Sequence, residues 1–353
     1  MKRNTRRWLW ALALSGPLLL GLMTAAYFCW ERPPQRQNES EAAPCEETEL
    51  PAACEETPVP VAARGRRPGV YTLLLAGCDD GNGNTDTLLL CCLDTGAHSL
   101  NVVSLPRDTL LNIDWSVRKL NAVYAGEINS GGVGLDRLRR EVKKLTGFSV
   151  DGCAVVDLSL FEEVVDTLGG VEFEVEQDMD YDDAAQDLHI HLRAGRQRLD
   201  GESAMQLVRY RAGYVNGDLD RLAVQQRFLR EALRQLIRLG TVPQLPELAR
   251  LVAARSDTDL SAANLAWLAR QALQCKSENL SFTTLPTQSA TIHGLSYAVV
   301  SLDDWLALLN ERFNPCWQPI GREHLDLVYL EDGAPCATTG VLRGEAYYAS
   351  YAS

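Results

Sequence analysis

Three short apolar runs constrain the fold of this chain more than any other feature of its sequence. They span Val70–Ala76, Thr87–Leu93 and Leu100–Leu105. A continuous apolar run of this length is typical of a β-strand that is covered on both faces. We therefore expect these segments to form strands of a sheet inside the folded part of the chain.

Helical periodicity and one alternating pattern follow these runs along the chain. Gly147 is placed to stop the first predicted helix, because glycine readily adopts the left-handed conformation that ends helices. From Val171 the sequence VEFEVE alternates strictly, which predicts a half-exposed strand. The order of elements indicates an α/β/α layered sandwich around a mixed, mostly parallel central sheet. The predicted helices are Leu135–Thr146, Leu158–Leu168 and a long segment from after Asp220 to about Leu239.

The N-terminus predicts a membrane anchor. Residues 1–7 are rich in Lys and Arg, and the 23 residues from Trp8 to Trp30 contain no charged side chain. That length can cross a hydrocarbon core of about 30 Å, and tryptophans at both ends are typical of the membrane interface. The positive-inside rule keeps residues 1–7 in the cytoplasm as a tail. We expect a single-pass signal-anchor, a transmembrane helix at 8–30 in the cell membrane, followed by an extracytoplasmic domain; a cleaved signal peptide is the alternative.

Composition divides the remainder of the chain. Residues 31–68 are rich in Glu, Pro, Ala, Gln and Thr and lack aliphatic periodicity, so they are predicted to form a disordered extracytoplasmic linker. The folded domain is expected at 69–315. The segment 316–353 is interpreted as a C-terminal extension that is either packed on the domain or loose.

Charge and cysteine usage exclude some classes of ligand. The net charge of −13 argues against nucleic acid, because binding to a phosphate backbone needs a basic surface. Cys78, Cys91, Cys92 and Cys153 lie in apolar runs and are predicted to be buried thiols. No CxxC or Cys/His spacing indicates zinc.

Carboxylates flank the loop between the first two apolar runs. Asp79 follows the first run and Asp86 directly precedes the second. A short loop can bring both side chains to one point, where they could hold a divalent cation. The alternative is a plain turn, because Asp, Asn and Gly favour turns without any ligand. An EF-hand is excluded, since Thr85 stands where that loop needs glycine.

Arginines lie near the ends of the other elements. Arg107 follows the third apolar run. Arg209 and Arg211 are two apart in LVRYR, so on an extended segment both would project to the same side. Arg221 and Gln225 are four apart and therefore share one face of the long helix. Carboxylates that hold a cation, together with several guanidinium groups, suit a pyrophosphate ligand.

Taken together, these stretches make the chain similar to a known family. The motifs are LLLAGCD…NTDTLLL, VVSLPRDT, KLNAVYA, the block from KLTGFSV to VEFEV, and AGRQRLDGESAMQLVRYR…DLDRLAVQQRFL. In this fixed order, and over Tyr71–Phe313, they resemble the LytR-CpsA-Psr family of cell-envelope proteins. The basic N-terminal tail and single apolar span are similar to that family as well.

The resemblance implies an activity. Members of the family are glycopolymer phosphotransferases that act outside the membrane. They move a teichoic acid or capsule-like polymer from a polyprenyl-pyrophosphate carrier to peptidoglycan through a phosphodiester bond. The implied partners are the lipid-linked glycan donor, the peptidoglycan acceptor and the membrane, but no nucleic acid. The alternatives are a non-catalytic polyprenyl-phosphate-binding module and a polyprenyl-pyrophosphate hydrolase.

The resemblance also implies roles for individual residues. Asp79 and Asp86 would hold Mg²⁺ on the pyrophosphate. Two positions depart from the family pattern, since Asn84 and Val224 stand where arginine is frequent. The residues that would bind the pyrophosphate are Arg107, which is also implied to be catalytic, Arg209, Arg211, Arg221 and Gln225.

General physical chemistry adds two requirements of such a reaction. An attacking sugar hydroxyl must lose its proton, and the candidate acceptors are Asp108 and Asp218. Each has another possible role, because Asp108 could brace Arg107 and Asp218 could cap the long helix. A lipid tail also needs an apolar slot, which the two later helices could line.

Overall fold

The computed structural model describes residues 31–36, 65–78, 83–183, 188–214, 218–239 and 243–348. The predicted cytoplasmic tail at 1–7, the predicted anchor at 8–30 and most of the predicted linker lie outside these residues. Within them, no helix combines the length and the apolar content that crossing a membrane requires.

Strands and helices alternate along the described part of the chain. The strands are β1 (Val70–Cys78), β2 (Thr85–Asp94), β3 (Ser99–Ser104), β4 (Gly152–Asp157), β5 (Val171–Val175), β6 (Met179–Asp183), β7 (Leu188–Leu192), β8 (Gly195–Leu199), β9 (Asp257–Thr258), β10 (Leu280–Thr284), β11 (Thr287–Ile292), β12 (Leu295–Val300), β13 (Val328–Glu331) and β14 (Ala334–Ala337). The helices are α1 (Ala122–Asn129), α2 (Gly134–Thr146), α3 (Leu158–Thr167), α4 (Gly201–Arg209), α5 (Asp218–Leu239), α6 (Leu245–Arg255), α7 (Ala262–Leu273), α8 (Leu302–Leu308) and α9 (Glu345–Tyr348).

The predicted elements are confirmed with small changes at their ends. The three apolar runs form β1, β2 and β3, the alternating segment forms β5, and the predicted helices form α2, α3 and α5. Gly147 ends α2 with a φ of 78°, and its N–H donates to the carbonyl of Lys143. A left-handed residue at this position is how glycine stops a helix.

The central sheet has six strands in the order β10-β3-β2-β1-β4-β9. The prediction of a mixed sheet is confirmed, but the prediction that it is mostly parallel is wrong. β1 pairs antiparallel with β2, β2 with β3, and β4 with β9, whereas the β1–β4 and β3–β10 pairs are parallel. The physical reason is loop length. Only residues 79–84 join β1 to β2 and 95–98 join β2 to β3, too few for the crossover that parallel strands need.

Helices cover both faces of this sheet, as the layered arrangement predicts. Successive residues of a strand point to opposite faces. Leu74 therefore shares one core with α2 and α8, whereas its neighbour Leu73 shares another with α5 and α7. Cys91 and Cys92 are divided between the two cores in the same way and are both buried.

A smaller core, the satellite core, lies outside the central sheet. It is formed by the pairs β5–β8 and β6–β7 together with α3, α4 and the first half of α5. Its buried residues include Phe173, Ile190, Leu207, Val224 and Phe228.

The two described ends of the predicted linker contact the folded part of the chain. Glu31 is buried, and its carboxylate accepts hydrogen bonds from the Arg270 side chain at 2.5 and 2.7 Å. At the other end, Arg66 pairs with the buried carboxylate of Asp151. The chain thus enters and leaves the interval 37–64 at points that are fixed on the domain.

The described part of the C-terminal extension is packed on the domain. Leu325, Leu327 and Val328 are completely buried, and Leu327 forms a β-bridge with Leu111. Of the two interpretations of this segment, the packed one is confirmed for residues 316–348.

Candidate functional site

The antiparallel pairing of β2 with β3 places two predicted site residues at the same end of these neighbouring strands. Asp86 lies near the start of β2, and Arg107 lies just after the end of β3, the strand that pairs with β2. Arg107 Nη1 is 3.0 Å from Asp86 Oδ1, and Arg211 Nη2 is 3.2 Å from Asp86 Oδ2. One carboxylate therefore accepts hydrogen bonds from two guanidinium groups that come from separate loops.

The main chain of Asn121 holds these two strand ends together. Its N–H donates to the carbonyl of Arg107 at 2.9 Å, and its own carbonyl accepts from the N–H of Thr85 at 3.2 Å. The KLNAVYA motif thus has a structural role that the sequence did not disclose, because the contacts are made by the backbone.

A cavity of ≈ 400 Å³, here called the arginine cavity, opens beside Asp86. Most of the residues that the sequence analysis selected lie on its wall. Asp86 is the only carboxylate among the described lining residues, whereas three arginines line the same space. Its lining residues are Gly77, Cys78, Asp86, Thr87, Leu158, Tyr181, Leu188, Val208, Arg209, Arg211, Ala212, Arg221 and Gln225.

Arg209 and Arg211 both reach the cavity, but not for the predicted reason. Arg209 is the last residue of α4, and the extended conformation begins at Tyr210, with φ −61° and ψ 134°. The expectation that both arginines lie on one extended segment is therefore wrong. They share the cavity because the chain turns at the helix end, with Tyr210 buried and packed edge-on against Tyr214.

Arg221 and Gln225 share one face of α5, as predicted, and both are buried at the cavity wall. Gln225 Oε1 accepts a hydrogen bond from Thr87 Oγ1 at 3.3 Å. Its amide nitrogen donates to the carbonyl of Val208 at 3.0 Å. This side chain therefore fixes α5 to both β2 and α4 around the cavity.

Gln226, the neighbour of Gln225, was not identified from the sequence. Its amide nitrogen lies 2.9 Å from Ser104 Oγ, 3.0 Å from the carbonyl oxygen of Thr283 and 2.9 Å from Thr284 Oγ1. These contacts tie α5 to the ends of β3 and β10. The QQ pair was the available signal, but its second member acts through tertiary contacts that periodicity does not reveal.

The remaining predicted site residues lie elsewhere or outside the described set. The Asp108 carboxylate is 3.0 Å from Lys119 Nζ, and Asp108 is not among the residues that line the cavity. Asp218 begins α5, but its side chain lies outside the described residues, as does Asp79 entirely. The structure therefore brings Asp86 and Arg107 together with four other predicted site residues, Arg209, Arg211, Arg221 and Gln225. Neither candidate proton acceptor is among the described residues that line the cavity.

The two positions that depart from the family pattern have different surroundings. Asn84 is partly buried and directly precedes β2, two residues before Asp86. Val224 is 7% exposed, belongs to the satellite core and lines a separate cavity of ≈ 210 Å³. Val224 therefore does not line the arginine cavity, so valine in place of arginine at this position removes no positive group from the cavity wall.

The charge of the arginine cavity favours an anion. Three lining arginines and Arg107 outnumber the single described carboxylate, and planar guanidinium groups match phosphate oxygens. Mg²⁺ is usually held by one or two carboxylates together with substrate phosphates. Asp86, whose side chain is 30% exposed, fits one such ligand position once an anionic ligand offsets the surrounding positive charge.

Comparison with known proteins agrees with the sequence motifs. The model of the LytR_cpsA_psr family matches residues 39–313, well over half of the chain. The chain belongs to the LytR-CpsA-Psr family. Among curated LytR-CpsA-Psr relatives, it is 30% identical over 255 residues to the cell wall biosynthesis protein LcpA of Corynebacterium glutamicum, covering 65% of this chain and 48% of LcpA. It thus spans about half the length of that relative.

Two further comparisons cover more of the matched protein. The chain is 25% identical over 233 residues to the polyisoprenyl-teichoic acid–peptidoglycan teichoic acid transferase TagU of Oceanobacillus iheyensis, covering 65% of this chain and 71% of TagU. The crystal structure of gbs0355 from Streptococcus agalactiae superposes with a TM-score of 0.62 at 20% identity, covering 79% of this chain and 94% of that one. The structural likeness shows that this member of the LytR-CpsA-Psr family has the mixed α/β fold of that protein.

Proposed function

We propose that this protein is a membrane-anchored extracytoplasmic phosphotransferase. It moves a teichoic acid or capsule-like glycopolymer from polyprenyl pyrophosphate to peptidoglycan and leaves a phosphodiester bond. The observation that carries this proposal is the convergence of Arg107 and Arg211 on Asp86, at a cavity that Arg209 and Arg221 also line. Family membership and the similarity to the teichoic acid transferase TagU support the same reaction class.

Ligand binding follows from the charges of the arginine cavity. A pyrophosphate diester carries two negative charges, which the guanidinium groups can offset with hydrogen bonds of fixed direction. Arg221 is only 3% exposed, so its attraction for an anion is less screened by water than that of a surface arginine. Arg107 and Arg211 are already held at the cavity edge by Asp86.

The chemical step is a displacement at phosphorus. A sugar hydroxyl of the acceptor forms a new O–P bond, the bond from phosphorus to the bridging oxygen breaks, and polyprenyl phosphate leaves with that oxygen. Such reactions depend mainly on positioning and on stabilisation of charge. When bound, Mg²⁺ would neutralise charge on the pyrophosphate, with Asp86 and Asp79 as its proposed ligands. The hydroxyl proton passes to a carboxylate, for which Asp108 and Asp218 remain the two candidates.

Half-buried apolar side chains support a lipid donor. On the sheet face that α5 and α7 cover, four apolar side chains pack against the core but retain exposed surface. They are Leu229 and Leu233 of α5, Leu265 of α7 and Phe282 of β10. We propose that a polyprenyl chain binds along their exposed parts, between the sheet and these two helices. By contrast, Phe161 and Val165 of α3, the other helix considered for this role, pack in the satellite core.

A single reaction mixture tests the proposal against its alternatives. The full-length chain is incubated with a lipid-pyrophosphate-linked oligosaccharide, peptidoglycan fragments and Mg²⁺, and products are separated by mass. We expect a glycan–phosphate–peptidoglycan conjugate that needs the acceptor. Lipid that is retained without any product would identify a binding module. Release of phosphorylated glycan without an acceptor would identify a hydrolase.

A further inference from the structure

The paired strands β6 and β7 carry an alternating set of metal-binding side chains. β6 reads MDYDD and β7 reads LHIHL. Their antiparallel register places Asp180 opposite His191 and Asp182 opposite His189. Since alternate residues of a strand share a face, register alone places two carboxylates and two imidazoles side by side. These four side chains are more than half exposed.

Three ligand atoms of this group converge. His189 Nδ1 is 2.5 Å and His191 Nε2 is 3.4 Å from the same oxygen, Asp182 Oδ1. The candidate ligand atoms of the three residues all lie within 4.8 Å of one another. In a tetrahedral zinc site with bonds of about 2.0–2.2 Å, neighbouring ligand atoms are separated by roughly 3.3–3.6 Å. Small rotations of exposed side chains therefore suffice to bring the group to that geometry.

A fourth residue orients one of the imidazoles. His191 Nδ1 lies 2.7 Å from Asp180 Oδ1, on the opposite side of the ring from the nitrogen that faces Asp182. Imidazoles that bind a metal through one nitrogen usually donate the other N–H to a carboxylate or carbonyl, which fixes the tautomer. Asp180 is thus a positioning residue that leaves the Nε2 lone pair of His191 directed at the site.

The geometry points to a binding site for a divalent transition-metal ion, Zn²⁺, formed by Asp182, His189 and His191 with water as the fourth ligand. Two imidazoles and one carboxylate suit Zn²⁺, whereas Mg²⁺ prefers oxygen ligands alone. This is a different site from the arginine cavity, where the described carboxylate faces guanidinium groups. Cysteine spacing could not reveal it, because the ligands come from a two-residue periodicity on two strands.

The site lies on the reverse side of a wall of the arginine cavity. Tyr181 of β6 and Leu188 of β7 line that cavity, while the residues next to them in sequence supply the metal ligands. An ion held by both strands would tie them together on the outer face. We therefore expect Zn²⁺ to slow hydrogen exchange of the β6 and β7 amides.

Calorimetric titration of the full-length, untagged chain with ZnCl₂ tests the site, in excess Mg²⁺ so that oxygen-only sites are filled. We expect one equivalent to bind, and His189→Asn and His191→Asn each to weaken binding at least about 10-fold. Asp180→Asn should weaken it by about 10–100-fold. His98→Asn is the matched control, because His98 is exposed in the β2–β3 turn and its φ of 49° is tolerated by asparagine.

The outcome is decided by comparison of these variants. Wild-type binding in His98→Asn, with loss in both site variants, supports the proposal. It is overturned if the wild type binds no Zn²⁺ at micromolar concentrations, or if His189→Asn and His191→Asn bind as tightly as the control. Hydrogen exchange gives an independent readout, since Zn²⁺ should protect β6 and β7 in the wild type and not in His191→Asn. Equal protection in both would also contradict the site.

Discussion

Arg107 Nη1 lies 3.0 Å from Asp86 Oδ1, although the two residues are 21 positions apart in the sequence. Antiparallel pairing places the start of β2 next to the end of β3, which brings the two residues together. The ion pair holds the Arg107 guanidinium group, which we propose binds phosphate, in place before any ligand arrives. Because groups that are ordered in advance lose less entropy on binding, this arrangement favours tight capture of an anion.

Removal of divalent cations is expected to stop transfer. The arginines can offset the charge of a bound pyrophosphate, but Asp86 adds a negative charge beside it, and Mg²⁺ would separate the two. Transfer is measured with the full-length chain before and after treatment with EDTA, and after Mg²⁺ is added back. We expect loss and recovery of activity. Turnover that persists in EDTA would argue against a metal in this reaction.

The buried pair of Asp151 and Arg66 should contribute strongly to stability. Their side chains are 0% and 5% exposed, and Asp151 Oδ2 also accepts from the N–H of Thr72 at 2.8 Å. Asp151→Asn removes the charge that faces Arg66 in a buried site, so the free energy of unfolding should fall by about 3–5 kcal/mol. Urea denaturation measures this change. The exposed Asp304→Asn is the control, with an expected change within about 0.5 kcal/mol; equal effects would refute the assignment.

Gln226 is expected to stabilise the packing of α5 against the central sheet. Gln226→Ala leaves the partly buried acceptors Ser104, Thr283 and Thr284 without its amide donor, which should cost about 1–3 kcal/mol of unfolding free energy. The exposed Gln318→Ala serves as the matched control in the same denaturation experiment. No difference between the two variants would show that these hydrogen bonds do not hold the helix.

The buried thiols of β2 should make stability fall at alkaline pH. Burial raises the pKa of Cys91 and of Cys92 from 9.0 to about 12. Each thiol has a higher pKa in the folded state than in the unfolded state. Its contribution to stability is therefore fully present below about pH 9 and is lost as the pH rises toward 12. We expect the denaturation midpoint to drop between about pH 8.5 and 10.5. The drop should be smaller in Cys91→Ala/Cys92→Ala, and an unchanged slope would contradict this origin.

The elements of the fold were predictable from the sequence because apolar periodicity is a local property. The strand directions were not, since an apolar run such as Val70–Ala76 reads the same in a parallel or an antiparallel sheet. The lengths of the loops after β1 and β2 contained the missing information. Loops this short indicate antiparallel hairpins, because parallel strands need a longer crossover.

The candidate site was predictable to the extent that its residues follow strand ends or share a helix face. Arg107, Arg221 and Gln225 satisfy those rules. Gln226 and the main chain of Asn121 do not, because their roles depend on contacts between distant segments. Arg209 was expected on an extended segment with Arg211, but it ends α4, and the turn at Tyr210 places it at the cavity wall.

The central claim is that Asp86 and its arginines form the site of phosphoryl transfer. The most direct measurement is the rate of glycan transfer to peptidoglycan by Asp86→Asn and Arg107→Ala in the full-length chain, beside the exposed control Asp304→Asn. We expect both site variants to remain folded and to lose at least about 100-fold in rate, while the control keeps the wild-type rate. Wild-type rates in both folded site variants would contradict the account.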